Sequence, residues 1–164
     1  MAANWMRRSF VATACASAAL LAACGSSSID SAIKPTRLIA FGDAMADVGQ
    51  KGSSYTVNDG SINNWTQQLA SRYGLTVKPV SGGGTSYAQG NARINATPDA
   101  AGNASTPTVK QQIDQFLANP QFNADDVILI SAGASDIIAG MAAVQAGTQT
   151  QAQYIAAAVQ AGKD

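Results

Sequence analysis

Val127-Ile128-Leu129-Ile130, followed by Ser131-Ala132-Gly133-Ala134-Ser135-Asp136, is the stretch that decides the fold class. Four successive apolar residues, entered from polar Asp125-Asp126 and left through a Gly-containing loop, read as a strand buried on both faces. That is the pattern of a parallel sheet covered by helices. Toward the N-terminus, Thr36-Arg37-Leu38-Ile39-Ala40-Phe41 repeats it and stops at Gly42-Asp43. A third run, Leu75-Thr76-Val77-Lys78-Pro79-Val80, has strand length and ends in the flexible turn Ser81-Gly82-Gly83-Gly84. Helical signals fill the gaps. Asn63-Asn64 offers caps before Trp65, Leu69 and Tyr73, which share one face at fourfold spacing, and Gly74 closes that helix. Thr106-Pro107 opens a second helix whose apolar face is Val109, Ile113, Phe116 and Leu117. Ala- and Gln-rich helix is expected over most of 149–161, and 91–107 reads as a long surface loop. Strands alternating with helices predict an α/β fold with three parallel strands. Ligands gather at the carboxyl ends of such strands, which directs attention to residues 41–47 and 131–136.

Composition narrows the chemistry. The chain has 164 residues, enough for one domain of ordinary size. Ten basic residues balance ten acidic ones, so no net field steers it to nucleic acid. Every acidic residue is Asp, and His is absent. The usual proton carrier near neutral pH is therefore missing.

The N-terminus reads as an export signal. Arg7-Arg8 precedes an apolar run from 10 to 23 that is too short to span a membrane. The run ends Leu21-Ala22-Ala23-Cys24, which resembles the bacterial lipobox, so Cys24 is the expected site of lipidation. Arg7-Arg8-Ser9-Phe10-Val11 also resembles the twin-arginine motif, and both export routes stay open. The other reading of Cys24 is an incidental residue beside a plain signal peptide. Both cysteines, Cys15 and Cys24, lie in or at the edge of the leader, leaving no disulfide framework for the domain. The expected organisation is a signal peptide over 1–23, a lipid-anchored tether over 24–34 and a domain over 35–164. Gly25 lacks acidic character, which points the anchored protein to the outer membrane.

Several blocks, in order, resemble the GDSL or SGNH ester hydrolases, particularly bacterial secreted lipases and acylhydrolases. Phe41-Gly42-Asp43-Ala44-Met45-Ala46-Asp47-Val48-Gly49 is similar to their first block. Gly84-Thr85-Ser86-Tyr87-Ala88-Gln89-Gly90-Asn91-Ala92-Arg93 is similar to their second, and Gly133-Ala134-Ser135-Asp136 to their third. The resemblance covers nearly all of 36–140. It implies a flavodoxin-like three-layer α/β/α fold, here truncated after its third parallel strand, with no cofactor and no metal. It also implies a Ser nucleophile in the first block, a Gly amide and an Asn side chain as oxyanion donors, and an Asp-x-x-His block further on.

This chain departs from that pattern at the reacting atoms. Ala44 stands at the nucleophile position and Ser135 at the Asn position. Gly90 keeps the position of the backbone oxyanion donor. The resemblance then implies lost or much reduced esterase activity, with an ester, acylated glycan or lipid as ligand. The alternative is a noncatalytic binding lipoprotein using the former cleft. Of the loop residues, Gly42, Asp43, Asp47, Gly133 and Asp136 frame the site. Asp43 is expected to accept from loop amides, Asp47 to cap a turn or face solvent, and Asp136 to act as a structural acceptor beneath the loops. Ser131 and Ser135 are ordinary hydroxyls without a base. Residues 81–86 lack the Gly-Lys-Ser/Thr ending of a phosphate loop.

Overall fold

The computed structural model describes residues 33–54, 61–119 and 122–163. The signal peptide, Cys24 and most of the tether lie outside these residues.

Among the described residues the fold is mixed α/β, with a small parallel two-stranded sheet and four helices. β1 (Arg37–Gly42) and β2 (Asp126–Ser131) pair in register from Arg37 opposite Asp126 to Gly42 opposite Ser131. The first rung is fastened by a forked ion pair, Arg37 Nε to Asp126 Oδ1 at 2.9 Å and Nη2 to Oδ2 at 2.5 Å. The guanidinium hydrogen bond holds the Asp126 carboxyl below the usual carboxylate range. α1 (Trp65–Arg72), α2 (Val109–Leu117), α3 (Ala134–Gln145) and α4 (Gln151–Ala161) complete the set.

Residues 75–80 do not form the expected third strand. Pro79 has no N–H to give a ladder. Its carbonyl instead accepts from Gly82 and Gly84, both at 2.9 Å, as the chain tightens into a 3-10 turn over Val80–Gly82. A Cβ on Gly84 would lie 2.1 Å from the Lys78 carbonyl oxygen, so only glycine permits the turn. The free side of β1 is taken by residues 85–87 instead. Ala40 N–H donates to the Thr85 carbonyl at 3.1 Å, Tyr87 N–H donates to the Ala40 carbonyl at 2.7 Å, and Thr85 Oγ1 donates to the Leu38 carbonyl at 2.5 Å. Ser86 in turn bridges to Pro79 on its far side.

Alternation along β1 splits the core into two clusters. Leu38 and Ala40 pack with Ala70 of α1, Val77 and Leu129. Ile39 and Phe41 pack with Ala92 and with Val109 and Phe116 of α2. The Phe41, Tyr87 and Phe116 rings meet at 5.3–5.9 Å. β1 is thus covered on both faces, but β2 is not. Leu129 is buried on the α1 side, whereas Ile128 and Ile130 are 40% and 58% exposed. Their register partners Ile39 and Phe41 lie beneath α2, which does not reach across to β2.

The helices form for the reasons read from the sequence, but they bury different faces. α1 starts at a capping box: the Asn64 side chain accepts from Gln67 N–H and the Gln67 side chain from Asn64 N–H, both at 3.1 Å. It ends where Gly74 takes φ +69°. Its buried residues are Thr66 and Ala70, with Trp65 and Tyr73 each 38% exposed. Of the expected face only Leu69 is partly buried against the core; Trp65 and Tyr73 lie beside the Thr66–Ala70 contact line rather than on it. α2 is capped by Thr108, two residues later than expected, and buries Val109, Gln112 and Phe116 while Leu117 is exposed. α3 begins at Ala134, so Ser135 and Asp136 belong to a first helical turn, not to a loop. The 91–107 segment is irregular as expected, yet Ala92, Asp99 and Thr106 within it are buried.

Candidate functional site

β1 delivers Asp43 and Ala44 into a tight turn. Asp43 N–H continues the sheet by donating to the Ser131 carbonyl at 2.9 Å, which ties the end of β1 to the end of β2. The Asp43 carbonyl accepts from Ala46 N–H at 3.1 Å, and its Oδ1 from Met45 N–H at 3.2 Å. As expected, then, Asp43 serves loop amides. Its other oxygen, Oδ2, is buried with no hydrogen-bond partner. Ala44 is half-buried in this turn and carries only a methyl group.

Gln112 of α2 holds the glycine before the turn. It is fully buried; its Oε1 accepts from Gly42 N–H at 2.9 Å and its Nε2 donates to the Gly42 carbonyl at 3.0 Å. One carboxamide thus satisfies the backbone where β1 leaves the sheet. Sequence reasoning passed over Gln112 because it is polar. Its spacing from Val109 and Phe116 places it on their face all the same.

Asp47 is buried and does not face solvent. Its Oδ1 accepts from Gly49 N–H at 2.8 Å and Gln50 N–H at 2.9 Å, capping the local turn. Its Oδ2 accepts from Gly90 N–H at 2.7 Å. The Gly90 amide, which the resemblance offers as an oxyanion donor, is therefore committed to a carboxylate. Moving it to another anion would leave Asp47 short of a partner in a buried setting.

At the far side, Gly133 takes φ +105° as the N-cap of α3, and Ser135 is buried. Asp136 accepts from Ile94 N–H at 2.8 Å through Oδ2 and from Arg93 Nε at 3.3 Å through Oδ1. It is the structural acceptor its position suggested. Residues 89–94 are thereby slung between the two strand-end loops. Gln89 N–H donates to the Gly42 carbonyl at 3.1 Å, Gly90 is held by Asp47, and Ile94 by Asp136. Within this sling Asn91 adopts φ +65°, a left-handed conformation open to Gly and Asn at little cost.

The structure thus brings residues 42–47, 89–94 and 133–136 into one hydrogen-bonded frame. Chemically it offers buried acceptors and a hydroxyl, with no histidine anywhere in the sequence. Among the described residues no cluster of three His, Cys or Asp side chains is placed to hold a metal, and no helix is long and apolar enough to cross a membrane. Compared with family models and with curated proteins, the chain matches none.

Proposed function

We propose that this chain is an exported lipoprotein of the GDSL/SGNH ester hydrolase kind whose esterase activity has been lost or much reduced. Ala44 carries the reading. It sits in the turn that follows β1, the position where such a hydrolase exposes its serine, and it has no oxygen to attack an ester carbonyl. The finer fold belongs to the same proposal: the β1–β2 pair, with residues 85–87 alongside, is part of a flavodoxin-like three-layer α/β/α sheet. The exposed Ile128 and Ile130 support it, because further strands and a covering helix would bury them. Lipid on Cys24 anchors the protein in the cell envelope, at the outer membrane.

A second reading, that the frame holds an acylated glycan or lipid without cleaving it, is favoured by the Gly90 amide. A donor already bound to Asp47 at 2.7 Å is not poised for a developing oxyanion. Hydrolysis of short p-nitrophenyl esters tests both. The 164-residue chain is expected to show no rate above the buffer blank. Ala44→Ser is expected to leave it there, since a serine without a base gains little nucleophilicity. Robust turnover by the unmodified chain would overturn the assignment of Ala44 to the nucleophile position.

A further inference from the structure

A cavity lies against the frame; Gly90 and Asn91 line it, whereas Ala44 and Ser135 do not. It measures about 340 Å³ and is walled by Asp47, Lys51, Gln89, Asp99, Asn103 and Thr106. That volume is at the lower end of the roughly 300–1,000 Å³ of small-molecule clefts.

Its hydrogen bonds fix which groups remain to face a ligand. Asp99 can only accept: Oδ1 takes Ala101 N–H at 2.9 Å and Asn103 N–H at 2.8 Å. Its Oδ2 must therefore receive the Thr106 hydroxyl proton, at 2.6 Å. Thr106 Oγ1 is then left to accept, so the Gln89 group facing it at 3.3 Å must be the NH2. This orientation turns Gln89 Oε1 away from Thr106. Gln89 is only 6% exposed, and among the described residues no group donates to that oxygen. The fully buried unpaired atoms among those residues are Asp43 Oδ2 and Ser86 Oγ, so Gln89 Oε1 is an accessible acceptor that a ligand can reach.

The remaining groups set the ligand's chemistry. Asp47 and Asp99 each receive three hydrogen bonds from the protein. A carboxylate has about four lone-pair sites, so each keeps about one to offer. Exposed Lys51 also lines the cavity, and among the described residues its ammonium has no ion pair. Two carboxylates against one ammonium repel an anion, and carboxylates with only about one free lone-pair site each offer a bare cation too few ligands. What fits is a neutral molecule whose groups donate and accept side by side. We infer that this cavity binds a polyhydroxylated ligand about the size of one sugar ring. One hydroxyl donates to Gln89 Oε1, a neighbour donates to a carboxylate, and a hydroxyl oxygen accepts from Lys51. The inference is independent of whether Ala44 marks a former nucleophile.

The test uses the full chain in a sugar-free zwitterionic detergent, with saturation-transfer NMR as readout and D-glucose, myo-inositol and inorganic phosphate as probes. Saturable binding of D-glucose or myo-inositol is expected, with Kd of about millimolar for so small a ligand. Lys51→Ala, an exposed change that leaves the fold alone, is expected to weaken it about tenfold, the effect of losing one charge-assisted hydrogen bond. Gln89→Met is expected to weaken it similarly, and the Lys51→Ala result stands alone if Gln89→Met does not fold. No saturation by either sugar probe, equal binding in Lys51→Ala, or displacement of the sugar by phosphate would each overturn the inference.

Discussion

Replacing Gln112 by methionine isolates the clamp on Gly42. Methionine matches the length of glutamine, so the change removes hydrogen bonds while leaving the packing of α2 on β1 nearly intact. Two bonds carry the effect. Gly42 N–H loses Oε1 as its acceptor at 2.9 Å, and only a weakly accepting thioether replaces it. The Gly42 carbonyl loses Nε2 at 3.0 Å but keeps Gln89 N–H at 3.1 Å. Gln112 is fully buried, so water does not take over either role. Leaving one buried donor unsatisfied costs about 1–3 kcal/mol, and the surviving bond makes the carbonyl loss small. The expected destabilisation is about 2 kcal/mol, a sizeable share of the roughly 5–15 kcal/mol that holds a domain together. Hydrogen exchange at the Gly42 amide reads it locally. At about tenfold per 1.4 kcal/mol, protection at Gly42 should fall about 30-fold, while amides in α4 should not change. Equal protection at Gly42 in both proteins would show that the clamp carries no energy and refute the reasoning.

Two further perturbations probe other parts of the molecule. A Cβ on Gly140 would lie 2.2 Å from the Tyr154 ring, so Gly140→Ala should force α3 and α4 apart at a cost of about 1–3 kcal/mol. Tyr154→Ala in the same chain should recover most of the loss, and a urea midpoint that Gly140→Ala leaves unmoved would exclude the close approach. If Cys24 bears lipid, metabolic labelling with a fatty acid should mark the protein and Cys24→Ala should abolish the mark; label persisting in that variant would end the lipoprotein proposal.

The parts of the fold visible in the sequence are those encoded locally. The apolar runs at β1 and β2, the Asn64 cap and the Gly74 stop each depend on a few adjacent residues. The errors arise where distant contacts decide. Residues 75–80 have strand-like composition, but the place beside β1 goes to 85–87, a run of three residues too short to read as a strand. Trp65, Leu69 and Tyr73 were the obvious helix face by hydrophobicity, and Leu69 does pack against the core, yet small Ala70 is what lets α1 sit close to the sheet. At the candidate site, the blocks were legible but their wiring was not. That Asp47 reaches Gly90, and Asp136 reaches Ile94, follows from hydrogen bonds across 43 and 42 residues. No periodicity encodes such bonds.

The register of β1 also has a meaning in time. Leu38 meets Thr85 across 47 residues of chain, and Arg37 meets Asp126 across 89. Closing the longer loop costs only about 0.6 kcal/mol more, since the penalty grows with the logarithm of length. Equilibrium therefore barely separates the two partners of β1, but synthesis does. As the chain emerges N-terminus first, residues 85–87 reach β1 well before β2 exists, and this early flank shields one edge of an apolar strand from other chains. The second edge stays open until Asp126 appears to meet Arg37.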